Sequence, residues 1–97
     1  MIKPISPVSF KSAYKVCADI NNIRSQLLHR EFLTLAGYML DKHNDCSMYT
    51  VREKESIRQK PDITGYTVLL VPDELDQTVE EYCNFYGIEF NKSKRFE

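Results

Sequence analysis

Glycine, cysteine and tryptophan are scarce in this sequence. Its 97 residues include three glycines, three cysteines and no tryptophan. The glycines are isolated from one another, so they do not form a glycine-rich loop that cradles phosphate groups. Cys17, Cys46 and Cys83 are odd in number and far apart, which is not the pattern of a disulfide framework. We therefore expect reduced thiols and a cytoplasmic location.

Long hydrophobic runs and an excess of one charge are also missing. No apolar run approaches the ~20 residues that cross a bilayer, and the start of the chain, Met1 to Pro4, lacks the apolar stretch of a signal peptide. Thirteen lysines and arginines stand against fourteen aspartates and glutamates, which gives a formal net charge of −1. That balance provides no overall attraction to nucleic acid or to an anionic membrane. We expect a soluble chain without a membrane partner.

Apolar residues are plentiful enough for one core. They make up 42% of the sequence, and its length is that of a single small domain. The first residues include Pro4 and Pro7, which favour extended backbone, so 1–10 is interpreted as an N-terminal arm. A loosely ordered terminus is the alternative. The domain itself is expected at 11–92, with a charged tail at 93–97.

The segment 12–18 decides the predicted topology. Tyr14, Val16 and Ala18 alternate with the residues between them, which predicts a β-strand. The apolar residues from Phe10 to Ile20 also fit a helical period, so a helix is the alternative there. If the segment is helical, the predicted order of strands and helices changes.

Two helices follow from apolar periodicity. Residues 22–43 contain no proline and carry a wide apolar face at helical spacing, and several side chains between Asp19 and Asn22 are able to cap that helix. A second helix is expected to start at Pro72 and to end before Gly87, a glycine in the position of a C-terminal cap.

Three more strands are predicted in the second half of the chain. Residues 47–53 alternate and end in charge, which is typical of an edge strand. Residues 66–71 are almost wholly apolar, which predicts a buried central strand. A polar loop at 54–64 joins these two strands. Ile88 to Phe90 predict a short last strand.

The resulting order is strand, helix, strand, strand, helix, strand. This is the split β-α-β-β-α-β order of the ferredoxin-like arrangement, an α+β fold with a four-stranded antiparallel sheet and two helices on one face. The most apolar strand is the third, which this topology places centrally. Electron carriers, RNA binders, regulators and enzymes all use this arrangement, so it implies no function.

Signatures of catalysis, of metal sites and of cofactors are missing. His43 and Cys46 lie three residues apart, but no CxxC or HxxxH pair completes a zinc site. His29 lies on the apolar side of the first helix, where a partly buried histidine is ordinary, and no G-x-S-x-G motif accompanies it. We expect no catalytic residue, no metal and no cofactor. A small enzyme of unknown class is the third functional hypothesis.

Self-association is the first functional hypothesis. Ile23, Leu27 and Tyr38 form a second apolar stripe on the first helix, and one core does not bury both stripes. A homodimer or another protein partner would cover it, and the N-terminal arm is the alternative cover. We interpret the chain as a non-enzymatic protein-binding or regulatory module.

The sheet raises the same question of what covers its second face. If Tyr66 and its alternate neighbours face the helices, then Met48, Leu69 and Val71 face outward and form an apolar patch, which usually marks an interface. These three residues complete the predicted interface. A Leu69→Asp substitution is then expected to convert a dimer into a monomer with nearly unchanged circular dichroism.

Binding of single-stranded nucleic acid is the second hypothesis. Tyr14 and Tyr66 lie on the two predicted central strands, where an RNA-recognition sheet carries its stacking aromatics. Lys54, Arg58 and Lys60 supply positive charge in the polar loop. Against this hypothesis, the ribonucleoprotein consensus is missing and the acidic residues nearly cancel the basic ones. A solvated loop explains the same charges more simply.

Overall fold

Four strands and two helices follow one another along residues 10–55 and 63–96, the part of the chain that the computed structural model describes. They are β1 (Phe10–Ala18), α1 (Ile23–Lys42), β2 (Ser47–Glu55), β3 (Ile63–Pro72), α2 (Asp76–Tyr86) and β4 (Asn91–Phe96), with a 3-10 turn (Asp73–Leu75) before α2. These elements confirm the predicted α+β class and the four-stranded antiparallel sheet. The predicted N-terminal arm, except for Phe10, lies outside the described residues.

The strands pair in the order β2-β3-β1-β4, and every pairing is antiparallel. β3 and β1 are therefore central, whereas β2 and β4 form the two edges. The sequences of β2 and β3 predict these positions, since β2 ends in charge and β3 is almost wholly apolar. The segment 12–18 is a strand, because hydrogen bonds to a neighbour on each side outweigh its weak helical spacing.

Both helices cover the same face of the sheet. In the β1–β3 pairing Tyr14 stands opposite Leu69, and Ser12 stands opposite Val71. All four side chains are buried. Tyr14, Leu69 and Val71 share one core cluster with the helix residues Phe32, Leu35, Ala36, Met39, Val79 and Cys83. We call the other side of the sheet, which carries the residues in between, the helix-free face.

The predicted outward orientation of Leu69 and Val71 is wrong. Neither side chain has any exposed surface, because both lie between the sheet and the helices. β3 is apolar on both faces, so its own sequence does not show which alternate residues the helices cover. The neighbouring strand decides this: Tyr14 and Val16 point toward the helices, and the register assigns Leu69 and Thr67 to the same side.

Helix α1 is fixed at its start by one cap and by one buried amide. Asn22 is the N-cap, and its Oδ1 accepts a hydrogen bond from the Ser25 N–H at 2.9 Å. Gln26, which is buried, donates from Nε2 to the Ile63 carbonyl at 2.7 Å. Its Oε1 accepts from the Ile63 N–H at 3.1 Å. These bonds attach the first turn of α1 to the start of β3.

Helix α2 starts later than predicted and ends where predicted. Pro72 is the last residue of β3, and α2 begins at Asp76 after the 3-10 turn. At the other end Gly87 has a φ of 73°, a left-handed conformation that favours glycine. The Ile88 N–H donates to the Cys83 carbonyl at 2.8 Å, which completes the predicted C-terminal cap.

Strand β4 occupies most of the segment that the sequence assigns to a charged tail. The strand predicted at 88–90 is wrong, because Ile88 serves the cap of α2 and is buried in the core. The chain instead pairs with β1 over Asn91–Phe96. The segment predicted as a charged tail, 93–97, is part of β4 as far as Phe96. The lysines of β4 do not prevent its pairing with β1, because carboxylates of α2 and of the turn before it neutralise them.

Candidate binding surfaces

The lysines of β4 are paired with carboxylates of α2 and of the turn before it. The Lys92 Nζ lies 2.7 Å from Glu80 Oε2 and 3.2 Å from Asp76 Oδ2. The Lys94 Nζ lies 2.8 Å from Asp73 Oδ1 and 3.2 Å from Asp76 Oδ2. Burial by itself would raise the pKa of Asp76, but hydrogen bonds from neighbouring hydroxyl and ammonium groups outweigh it and lower that pKa. This network holds β4 against α2 and neutralises its lysines.

Tyr14 belongs to the same network and not to a nucleic-acid surface. Its side chain is fully buried, and its hydroxyl donates to Glu80 Oε2 at 2.8 Å. Burial, and after it the hydrogen bonds to Glu80 and Asp76, raises the pKa of the phenol above its usual value. The ring packs edge-on against Phe90, with 5.3 Å between the centroids. The prediction that Tyr14 stacks on a base is therefore wrong.

The helix-free face carries two tyrosines beside polar side chains. The pairing register aligns Tyr49, Val68, Lys15 and Asn91 as one row across the four strands. Tyr66 lies in the next row, and the Lys15 Nζ lies 4.3 Å from the centre of its ring. These five residues line a shallow hollow of about 170 Å³ together with Ala13, Lys92 and Ser93.

Two of the residues predicted to bind nucleic acid reach this face. Tyr66 is half-buried on it, beside the hollow. Lys54 is exposed and stands opposite Thr64. Thr64 is on the helix-free face, because the residues of β3 next to it point toward the helices, and Lys54 is therefore on the same face. Arg58 and Lys60 lie outside the described residues. The role of Tyr66 and Lys54 in binding stays a prediction.

Sequence reasoning did not select Tyr49, which is 42% exposed on the helix-free face. The alternation along β2 already puts Tyr49 and Val51 on one side of that strand. Only the pairing of β2 with β3 shows that Tyr49 and Val51 lie on the same face of the sheet as Tyr66.

The outer side of the two helices carries five exposed large apolar side chains. Ile23 (79% exposed), Leu27 (53%) and Tyr38 (56%) of α1 are joined by Phe85 (80%) and Tyr86 (42%) of α2. We call these five residues the helix-layer surface. The sequence predicted that the core does not bury the α1 stripe of Ile23, Leu27 and Tyr38, and these side chains are exposed. Its role as an interface stays a prediction, and the sequence did not select Phe85.

A groove separates the two helices beside this surface. The Tyr82 hydroxyl donates to Glu31 Oε1 at 3.3 Å across the groove. The Tyr82 ring lies 4.7 Å from the Tyr86 ring. Thr34, Leu35, Tyr38, Thr78 and Tyr82 line an almost wholly apolar hollow of about 320 Å³. A hollow of this character suits an apolar side chain from a partner.

Met48 lies on neither surface. It is 36% exposed on the edge strand β2 and stands opposite Leu69, on the sheet face that the helices cover. The predicted patch of Met48, Leu69 and Val71 therefore does not exist as an outward-facing surface.

The buried histidine and cysteine side chains belong to the core. His29 is 3% exposed, and its Nε2 lies 2.8 Å from Thr67 Oγ1, which lies 2.8 Å from Thr50 Oγ1. Burial, and after it the charge of Arg52, lowers the pKa of His29. Burial raises the pKa of Cys83 to about 11, and a protonated thiol is a weak nucleophile. Within 10–55 and 63–96, no three His, Cys, Asp or Glu side chains are grouped to hold a metal ion.

Comparison with known proteins gives no match to a protein-family model or to a curated protein. Of the helices that the structure describes, none combines the length and the apolar character that a membrane crossing requires. Function is therefore inferred from the helix-layer surface and the helix-free face.

Proposed function

We propose that the chain is a small non-enzymatic binding module of the ferredoxin-like type that forms a homodimer through the helix-layer surface. The sheet order β4-β1-β3-β2, with one helix after β1 and one after β3, supports the ferredoxin-like arrangement. The observation that carries the homodimer is the exposure of two large apolar side chains, Ile23 at 79% and Phe85 at 80%.

The clustering of these side chains supports an interface. Single apolar residues are normal on a protein surface, but a contiguous group marks an interaction site. The hydrogen bond between Tyr82 and Glu31 joins the middle parts of the two helices. The Arg24 guanidinium lies 3.9 Å from the position that a Cβ on Gly87 would take. The start of α1, which carries Ile23, and the end of α2, which carries Phe85, therefore lie near each other.

The shape of this side supports a second copy of the chain as the partner. Phe85 projects from α2 seven residues after Thr78, which is ~10 Å along the helix axis at 1.5 Å per residue. Thr78 lines the apolar hollow between the helices. A two-fold axis that runs across the helices in the plane of the interface brings each Phe85 over the hollow of the other copy. Such an isologous contact is self-complementary and closes at two copies.

Sedimentation velocity tests the homodimer. We expect the wild-type chain to sediment as a dimer at high micromolar concentration, and Phe85→Ser and Tyr38→Ser to sediment as folded monomers with unchanged circular dichroism. Leu40→Ser is the matched control, because Leu40 is 37% exposed but lies about 200° around α1 from Tyr38. The control is expected to remain a dimer. A wild-type chain that stays monomeric at these concentrations contradicts the proposal.

A further inference from the structure

We propose that the helix-free face binds single-stranded nucleic acid, with Tyr66 and Tyr49 stacking on bases and Lys15 and Lys54 contacting phosphates. This face and the helix-layer surface lie on opposite sides of the molecule. The inference therefore goes beyond the proposed homodimer and does not depend on it. A dimer formed through the helices would present one such face on each copy.

Charge is separated between the two sides of the sheet, although the net charge is −1. On the side of the helices, the lysines of β4 are paired with three carboxylates. On the helix-free face, the paired positions of the described strands include Lys11, Lys15 and Lys54 and no aspartate or glutamate. The paired positions of this face therefore carry a net positive charge, as contact with phosphates requires. Glu53 stands unpaired in the bulge of β2, beside Lys54.

The two tyrosines of this face are spaced for stacking. Tyr49 stands opposite Val68, and Tyr66 lies two residues before Val68 on the same strand. Tyr49 and Tyr66 are thus diagonal neighbours on adjacent strands, a separation of about 7–8 Å. Successive bases of a single strand stack on aromatic side chains arranged in this way. In the free chain the Lys15 ammonium lies 4.3 Å from the centre of the Tyr66 ring in a cation–π contact. We expect an incoming base to displace it from the ring, which frees Lys15 to contact a phosphate.

The surroundings of the tyrosines favour a single strand over a duplex. Ala13 and Val68 are buried and form a flat floor to the hollow. Asn91 and Ser93 line its side along β4 and present an amide and a hydroxyl. These groups are able to hydrogen-bond to base edges, and a single strand exposes both those edges and the faces of its bases.

Fluorescence anisotropy with short, labelled, mixed-sequence RNA and DNA oligonucleotides tests the proposal on the full chain. At low salt we expect a Kd below ~100 μM for at least one of the two nucleic acids. Tyr66→Leu and Tyr49→Leu are expected to raise that Kd roughly tenfold, since each keeps an apolar side chain but removes the stacking ring. Lys15→Gln is expected to lower the slope of log K against log salt by about 1.

The matched control is Phe85→Ser, which removes an exposed aromatic ring from the opposite side of the molecule. It is expected to leave the affinity for a short oligonucleotide unchanged. A duplex of the same sequence is expected to bind more weakly than the single strand. Circular dichroism and thermal unfolding establish that the variants fold, and Tyr49 on the exposed edge strand is the substitution least coupled to the core.

Two results would overturn the proposal. One is the absence of binding to both oligonucleotides at ~100 μM protein in low salt, where even non-specific contacts appear. The other is that both tyrosine variants bind the oligonucleotides as tightly as the wild type and that polyglutamate displaces the oligonucleotides. That result would indicate a site for acidic peptides, because such a site needs the lysines and not the stacking rings. A wild-type chain that is monomeric and still binds the oligonucleotides contradicts the homodimer and supports the nucleic-acid site.

Discussion

Tyr14 and Leu69 stand opposite each other in the β1–β3 pair, and both side chains are wholly buried beneath the helices. Successive side chains of a strand point to opposite faces, so this one pairing orients the rest of the two central strands. It assigns Tyr66 and Lys15 to the helix-free face. The two candidate surfaces are separate for this reason.

Leu69→Asp is expected to unfold the protein and not to yield a folded monomer. The substitution removes a wholly buried side chain and leaves a carboxylate in an apolar core. We expect the free energy of unfolding to fall by more than ~3 kcal/mol. Urea unfolding followed by circular dichroism measures this loss.

Leu70→Asp is the matched control for that experiment. Leu70 is the next residue of β3, half-buried on the helix-free face. A carboxylate there keeps contact with water, so we expect a loss of about 1 kcal/mol. Equal losses for the two variants would show that the faces of β3 are assigned incorrectly.

Gly65→Ala is expected to separate β2 from β3 locally. A Cβ at Gly65 would collide with the backbone carbonyl of Val51, beside the bulge between Arg52 and Lys54. We expect a loss of ~1–3 kcal/mol in the free energy of unfolding. Thermal unfolding gives the comparison with the wild type, and a variant of unchanged stability would contradict the close approach of these strands.

Gly37→Ala provides the control for adding a methyl group to a glycine. Nothing lies within 4 Å of the position that a Cβ on Gly37 would take, and the residue is within α1. Alanine forms helix more readily than glycine, so this variant is expected to gain ~0.5–1 kcal/mol. The two substitutions should therefore shift the unfolding temperature in opposite directions.

Stability is expected to fall as the pH drops below the usual pKa of histidine. Burial, and after it the Arg52 charge, lowers the pKa of His29 in the folded chain. Below pH ~6.5 the unfolded chain takes up a proton that folded His29 resists, so protons favour unfolding. Urea unfolding at about pH 7.5 and pH 5.5 should show this loss.

His29→Gln is expected to reduce that pH dependence, because it removes the titrating ring. His43→Gln, at the end of α1, removes an imidazole and keeps the buried one, and it serves as the control. If the stability of His29→Gln changes with pH as steeply as that of the wild type, then His29 is not the source of the effect.

The sequence by itself determined the features whose signals are local. Helix α1, the capping glycine Gly87 and the apolar strand β3 each depend on residues within a few positions of one another, which periodicity and capping chemistry describe. The exposed stripe on α1 followed from the same helical period. A helix has a fixed angular spacing, so Ile23, Leu27 and Tyr38 necessarily point away from the core face.

Only the tertiary structure decided which face of β3 is covered and where the last strand lies. β3 is apolar on both faces, so its local pattern would be the same whether the helices covered Leu69 or Val68. The register with Tyr14 decides that they cover Leu69. β4 forms in a charged segment because its lysines meet carboxylates such as Asp73, 21 residues from Lys94. Strand register and charge pairing join residues that are distant along the chain, and folding alone brings them together.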